Sequence, residues 1–375
     1  MAAARPLLGL AAAAAEAAVL LLLLIGAIAV PAAECQVLVM GAYNETCPQA
    51  EDVVLKEMTA MVAKSPDLAA AVLRLFSLDC FVGGCEGSIL LDSTPAWQHR
   101  REGRAAEPGR PWVVDAIKAK LDAACPGVVS CADTLALAAR DSIRLTKGPF
   151  IPLPTGRRDG NRSVAADVAL FSPAPDANIT DIINLFAIRF NLTAKDVAVL
   201  SGMLARCSTV SPRLYGFGGD KGASDPALDG NYTATLREQC KPGDNATLVD
   251  LDPTTPATFD ADYYALVAGN RGLLSTDAAL LRYPATRDYV ERQAKAASPD
   301  EFFADFAEAF VAMSRLDVLT HHKGERDQEE SDSPPVVVPS PSSSAGDAAA
   351  RSYQLAAATV TGGLLALALA VALVL

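Results

Sequence analysis

Apolar residues recur at helical spacing along much of this chain. The spacing predicts one helix from about 50 to 63, and a second that begins with Ser65 as its N-cap and Pro66 at its first helical position. The buried stripe of the second helix consists of Leu68, Val72, Leu75 and Phe76. Arg74 and Leu78 are four residues apart, so the pattern places them one turn apart on a single face of that helix.

Further helices are predicted from the same spacing and from their capping residues. One begins near Val113, and Ser130 caps the next, with Asp133 three residues later completing a capping box. Thr193 caps another helix, and the last apolar-periodic segment covers 302–313.

The first 35 residues have the pattern of a secretory signal. They contain Arg5, a run rich in alanine, leucine and isoleucine up to Ala29, and small residues at 31–33. Residues 1–35 are therefore predicted to be a signal peptide, and the remaining chain is expected in an oxidising, extracellular compartment.

The C-terminal part of the chain differs in composition from the rest. Residues 327–344 are acidic and then rich in proline and serine, which predicts an extended stalk that cannot bury a core. Residues 345–375 begin with a small-residue and polar segment and end in an uncharged tail. This pattern favours a GPI attachment signal, and the alternative is a membrane-spanning helix, because the tail is long enough to cross a bilayer.

Charge, cysteine content and sequons indicate which partners and which covalent modifications to expect. The 44 acidic residues exceed the 32 basic ones, and no basic cluster is long enough to follow a phosphate backbone, so a nucleic-acid partner is not expected. The eight cysteines of a secreted chain predict disulfides, although their spacing alone does not decide the pairing. Six Asn-x-Ser/Thr sequons predict a glycosylated surface; they begin at Asn44, Asn161, Asn178, Asn191, Asn231 and Asn245.

A loop rich in oxygen ligands follows the second predicted helix. It contains Asp79, Glu86 and Ser88, with Gly83 and Gly84 between two cysteines supplying turn carbonyls. Closely spaced oxygen ligands on a tight loop suit a hard cation such as calcium.

The stretch from Arg74 to Ser88 reads Arg-Leu-Phe-Ser-Leu-Asp-Cys-Phe-Val-Gly-Gly-Cys-Glu-Gly-Ser. It resembles the plant secretory (class III) haem peroxidases, whose pattern is Arg-Leu-His-Phe-His-Asp-Cys-Phe-Val-x-Gly-Cys-Asp-x-Ser. Further matches to that family are found at 125–133, 138–141 and 156–159, and the resemblance extends from about 42 to 324. It implies a peroxidase-like domain over 36–326, with a mostly α fold of two helical lobes around a haem-type cavity. The family reaction is H2O2-dependent oxidation of phenolic donors.

The chain departs from the family at both faces of the haem. Phe76 replaces the first histidine of the motif, and Leu78 replaces the second, which is the family's general base, while the distal Arg74 is retained. On the other face, four residues that include the iron-binding histidine are missing after Gly202. Asp277, which holds that histidine in the family, is therefore expected to be an orphan.

The resemblance also implies calcium ligands, a donor site and disulfides. The first calcium site would consist of Asp79, Val82, Gly84, Glu86 and Ser88, and the second, with one ligand lost, of Asp252, Thr255, Thr258 and Asp260. Pro154 falls at the mouth of the family's donor site. The implied disulfides are Cys47–Cys125, Cys80–Cys85 and Cys207–Cys240, which leaves Cys131 without its family partner.

Two functions are consistent with these residues. The first is a catalytically impaired homologue that acts as a cell-surface or wall-associated binding protein. It would be attached through a lipid anchor or a C-terminal helix, with the cell wall or a small phenolic molecule as ligand. The second is an active secreted haem b peroxidase in H2O2 removal, with an unrecognised iron ligand. Met203 is a weak candidate for that ligand, and the three histidines, His99, His321 and His322, are expected on the surface.

Overall fold

The computed structural model describes residues 38–91, 112–174, 176–202, 205–244 and 247–318. The chain divides into two units, Met1–His322 and Lys323–Leu375, and all described residues belong to the first. The predicted signal peptide (1–35), stalk (327–344) and tail (345–375) lie outside the described residues, as do Met203 and the three histidines.

Helices make up most of the described structure, which confirms the expected mostly α fold. In chain order they are α1 (Ala50–Lys64), α2 (Asp67–Val82), α3 (Trp112–Ala124), α4 (Cys131–Leu145), α5 (Ala165–Phe171), α6 (Ile179–Phe190), α7 (Ala194–Val199), α8 (Cys207–Tyr215), α9 (Gly230–Gln239), α10 (Asp262–Ala268), α11 (Ser275–Ala279), α12 (Pro284–Gln293) and α13 (Asp300–Met313). Three 3-10 turns cover Ser88–Leu90, Phe217–Gly219 and Leu280–Arg282. Two short strands, β1 (Ala205–Arg206) and β2 (Leu248–Val249), pair antiparallel with Ala205 opposite Val249.

The predicted helix starts are largely reproduced, with two differences in capping. Thr193 and Asp196 form a reciprocal capping box at α7. Ser65 is not the N-cap of α2, which begins at Asp67, and its hydroxyl donates instead to the Asp67 carboxylate at 2.5 Å. The Ser130 hydroxyl does accept the backbone N–H of Asp133 at the start of α4, but the predicted box is incomplete because the Asp133 carboxylate binds elsewhere.

That carboxylate lies at the centre of a buried polar cluster. Arg157 donates to Asp133 Oδ1 at 2.7 Å, and the side chains of this ion pair are fully buried. Asp133 Oδ2 accepts the Tyr43 hydroxyl and the Gly156 N–H, each at 2.6 Å. Arg157 also donates to the carbonyl of Ser314 at 2.6 Å. The cluster therefore joins α4 to the segment around residue 156 and to the end of α13.

The buried apolar residues form two clusters. The larger one is built mainly from α1 to α4, α6, α7, α10, α12 and α13. Helix α2 is buried on nearly all sides, and this is the environment expected for a helix whose apolar residues are not confined to one stripe. The smaller cluster surrounds α8 and α9 and includes Val210, Leu214, Leu236 and Val249.

The structure contains the three disulfides that the family resemblance implies. Cys47 is bonded to Cys125, Cys80 to Cys85 and Cys207 to Cys240. Cys131, half-buried at the start of α4, is a free thiol. Burial, followed by the neighbouring Asp159 carboxylate, raises the pKa of the Cys131 thiol to about 11, so it is protonated and weakly nucleophilic at neutral pH.

The prediction of a membrane partner through a C-terminal helix is wrong. None of the described helices has both the length and the apolar character needed to cross a bilayer. The lipid anchor stays a prediction, because its signal falls outside the described residues.

Candidate functional site

Helix α2 forms one wall of a cavity of about 180 Å3. Arg74 and Leu78, predicted to share a face of this helix, both line the cavity, together with Ser77 and Phe81. The opposite walls come from α6, α7, α11 and the turn at Leu200–Gly202. The structure thus brings the retained arginine and the leucine that replaces the general base to the same cavity.

A second cavity of about 160 Å3 lies next to the first. Both are lined by Ser77, Leu200, Ser201 and Gly202, so these residues form the partition between them. Aromatic residues of α10 and α13 line the second cavity, which also reaches the acidic segment around Asp252.

Asp277 is not the orphan that the sequence predicts. The buried Tyr263 hydroxyl donates to Asp277 Oδ1 at 2.8 Å, and the backbone N–H of Leu274 donates to Oδ2 at 2.7 Å. Burial raises the pKa of Asp277, although both hydrogen bonds oppose the shift. Burial, followed by the charge of Asp277, also raises the pKa of Tyr263, so the phenol stays protonated and acts as the donor.

Gly202 lies beside the ring of Tyr263 and has a backbone conformation that favours glycine. Its φ of +97° lies in the left-handed region, and a β-carbon at this position would lie 3.4 Å from three atoms of the Tyr263 ring. The left-handed backbone is therefore the reason for glycine at this turn, and a β-carbon would make ordinary van der Waals contact with the tyrosine ring. The contact was not predicted, because no local pattern links residues so far apart in sequence.

A haem of the family type does not fit the described residues. Each cavity is smaller than the roughly 300–1,000 Å3 of typical small-molecule sites. The described part of the chain contains no histidine, and Asp277, the family's support for the iron ligand, is bonded to Tyr263. Leu78 places a hydrocarbon side chain where a peroxidase needs a base.

The predicted first calcium loop is organised by Asp79. Its Oδ2 accepts the N–H of Gly87 at 2.9 Å and its Oδ1 accepts that of Ile89 at 3.3 Å. A β-carbon on Gly83 would lie 3.0 Å from both Glu86 Oε1 and Ser88 Oγ, so these two oxygens converge beside the glycine. Calcium at this loop, with the Val82 and Gly84 carbonyls, stays a prediction.

The predicted second calcium site contains a carboxylate that sequence reasoning missed. Asp252, Asp260 and Asp262 place one oxygen each within 4.8 Å of one another. The Thr255 hydroxyl lies 2.6 Å from Asp252 Oδ2 and 2.7 Å from Asp260 Oδ2, and the Thr258 N–H donates to the Thr255 carbonyl. Burial, followed by the two neighbouring carboxylates, raises the pKa of Asp262. Its position two residues after Asp260 is the signal that could have indicated it.

Pro154 does not line either cavity. Its carbonyl accepts the Arg157 guanidinium at 2.9 Å, which links it to the polar cluster around Asp133. The donor-site role of Pro154 therefore stays a prediction.

Comparison with known proteins identifies the family. The family model described as "Peroxidase" matches residues 54–296. The chain is 43% identical over 310 residues to Peroxidase 1 of Oryza sativa subsp. japonica, covering 80% of this chain and 94% of the relative. The chain belongs to the plant peroxidase family. Peroxidase 27 and Peroxidase 3 of Arabidopsis thaliana are 43% and 41% identical to it, over 78% and 76% of this chain and 91% and 89% of the relatives.

Membership of this family has two general consequences. The family uses haem and calcium, and the relatives together with the disulfides indicate an extracellular location. The side chains of this chain decide which of the family's cofactors and activities it retains.

Proposed function

We propose that this plant peroxidase homologue does not turn over hydrogen peroxide and acts as an extracellular, wall-associated binding protein. The observation that carries the proposal is the hydrogen bond between Tyr263 and Asp277. The carboxylate that would orient an iron ligand is used to hold a tyrosine against the turn at Gly202. The site thereby supports a small binding cavity better than a redox centre.

The opposite wall supports the same conclusion. Cleavage of the peroxide O–O bond needs a group that takes a proton from one oxygen and returns it to the other. Leu78 cannot exchange a proton, and loss of a positioned acid/base typically lowers the rate ~100- to 10,000-fold. Arg74 remains able to stabilise negative charge, which is useful for binding an anion without any reaction.

Absorbance and turnover of the purified secreted protein test the proposal. We expect no Soret band and no peroxide-dependent oxidation of a phenolic dye. Peroxidase 1 of rice, purified and assayed in the same way, serves as the comparison protein. The variant Leu78→His is expected to stay inactive, because it restores one wall only. A strong Soret band with dye oxidation by the unmodified protein would instead establish an active secreted peroxidase with an unrecognised ligand.

Wall association is tested by extraction of the protein from plant tissue. We expect it in the salt-extractable wall fraction. Recovery only from the soluble intracellular fraction would contradict that part of the proposal.

A further inference from the structure

The cavity of about 180 Å3 beside α2 has mostly apolar walls. Leu78, Phe81, Phe186 and Leu280 contribute hydrocarbon and aromatic surface to it. A dry apolar cavity of about 150 Å3 is known to accept a benzene ring. A single six-membered ring with one small substituent therefore matches this volume.

The cavity lining contains one cationic side chain and one acidic side chain. Of the described residues that line it, two carry ionisable side chains, Arg74 and Asp277. Asp277 already accepts hydrogen bonds at both oxygens, from Tyr263 and from Leu274. The Arg74 guanidinium has five N–H donors and keeps its charge, so a contact within the protein still leaves donors for a ligand.

Two of the five hydroxyl side chains on the described residues that line the cavity donate to helix carbonyls. Ser77 donates to the carbonyl of Leu73 at 3.0 Å, and Ser201 donates to that of Val197 at 2.7 Å. Their protons are directed at helix carbonyls, so the side chains add little specificity toward a ligand. Arg74 is the one cationic side chain among the described residues that line the cavity.

We infer that this cavity binds a small monocarboxylate with a single-ring apolar body, its carboxylate on Arg74 and its ring between Leu78, Phe81, Phe186 and Leu280. The inference rests on the proposed function, since it requires that haem does not occupy the same space. The ligand leaves unchanged, because Leu78 offers no group for proton transfer.

Calorimetric titration of the full secreted protein with sodium benzoate tests the inference. Benzyl alcohol is the matched uncharged probe, since it has the same ring without the carboxylate. We expect benzoate to bind at least tenfold more tightly than benzyl alcohol, because a charge-assisted pair with arginine adds to the shared apolar contact. Arg74→Gln is expected to abolish this preference. The control Arg287→Gln, at an exposed position of α12, is expected to keep it.

Equal affinity for the two probes, or benzoate binding unchanged in a folded Arg74→Gln variant, would overturn the inference. Leu78→Phe provides a second decision if Arg74→Gln does not fold, because the larger ring fills the cavity and should weaken benzoate binding at least tenfold. Undiminished binding in Leu78→Phe would also overturn it. Haem-free protein that does not bind benzoate refutes this inference alone, whereas a Soret band with peroxide-dependent dye oxidation refutes the proposed function and the inference with it.

Discussion

The bond between Tyr263 and Asp277 makes a direct prediction about stability. Tyr263→Phe removes one hydroxyl and leaves the ring in place, so Asp277 Oδ1 loses its 2.8 Å donor in a fully buried environment. A hydrogen bond to a charged group contributes ~1.5–3 kcal/mol, and leaving a buried acceptor without a partner has a similar cost. We therefore expect the free energy of unfolding to fall by about 2–3 kcal/mol.

The adjacent residue supplies a matched control. Tyr264 is also buried, and its hydroxyl donates to the neutral carbonyl of Ala198 at 3.1 Å. Tyr264→Phe is expected to cost only ~0.5–1.5 kcal/mol, because its partner carries no charge. Urea denaturation followed by circular dichroism measures both variants. Equal losses in the two variants, or a smaller loss in Tyr263→Phe, would refute the role assigned to the Tyr263–Asp277 bond.

The pH dependence of the Tyr263→Phe effect has a definite sign. Burial raises the pKa of Asp277 in the folded state, so its contribution to stability is greatest below the unfolded pKa and declines as pH rises through the folded pKa. Tyr263 lowers that pKa by donating to the carboxylate. The penalty of Tyr263→Phe should therefore grow as pH rises and shrink in acid, where Asp277 is protonated.

Three further predictions concern other parts of the molecule. Burial raises the pKa of Asp141 to about 6. Its contribution to the free energy of unfolding, about 3 kcal/mol, is therefore lost as pH rises from ~4 through 6. Asp141→Asn should flatten this part of a profile of thermal stability against pH. Asp133→Ala leaves Arg157 buried without its carboxylate and should cost ~3–5 kcal/mol in urea denaturation, and a loss below 1 kcal/mol would contradict that pairing. Calcium at ~100 times its Kd should raise the free energy of unfolding by about 2.7 kcal/mol over that of the chelator-treated protein. We expect Asp79→Ala to abolish most of this increment and Asp252→Ala to reduce it less. An unchanged increment in Asp79→Ala would exclude the loop of Asp79 as a calcium site.

Local patterns were sufficient for most of the helical architecture. The apolar spacing in α1, α2, α4 and α13 is a property of each segment alone, so the sequence predicts these helices within a few residues. Capping is less predictable, because the same side chain has competing partners. The Asp133 carboxylate could have completed a capping box at the start of its own helix. It pairs instead with a buried arginine 24 residues away.

The candidate site was predictable only where one segment carries the information. Arg74 and Leu78 share a helix face, so their placement in one cavity follows from a four-residue spacing. Tyr263 and Asp277 are 14 residues apart on different helices, and their contact depends on how α10 and α11 pack. The loss of the histidine partner of Asp277 is therefore visible in the sequence, whereas the tyrosine that donates to Asp277 is not.

Gly202 lies on the cavity wall opposite Leu78, where the sequence lacks the family's iron-binding histidine. Only four residues separate Gly202 from Cys207, whose disulfide to Cys240 anchors the start of α8. Tyr263 packs against Gly202 and donates a hydrogen bond to Asp277, so this carboxylate has a partner without an iron ligand. Under the proposed function, a base restored at Leu78 would face a wall without an iron ligand, so a change at that wall alone is not expected to give peroxide turnover.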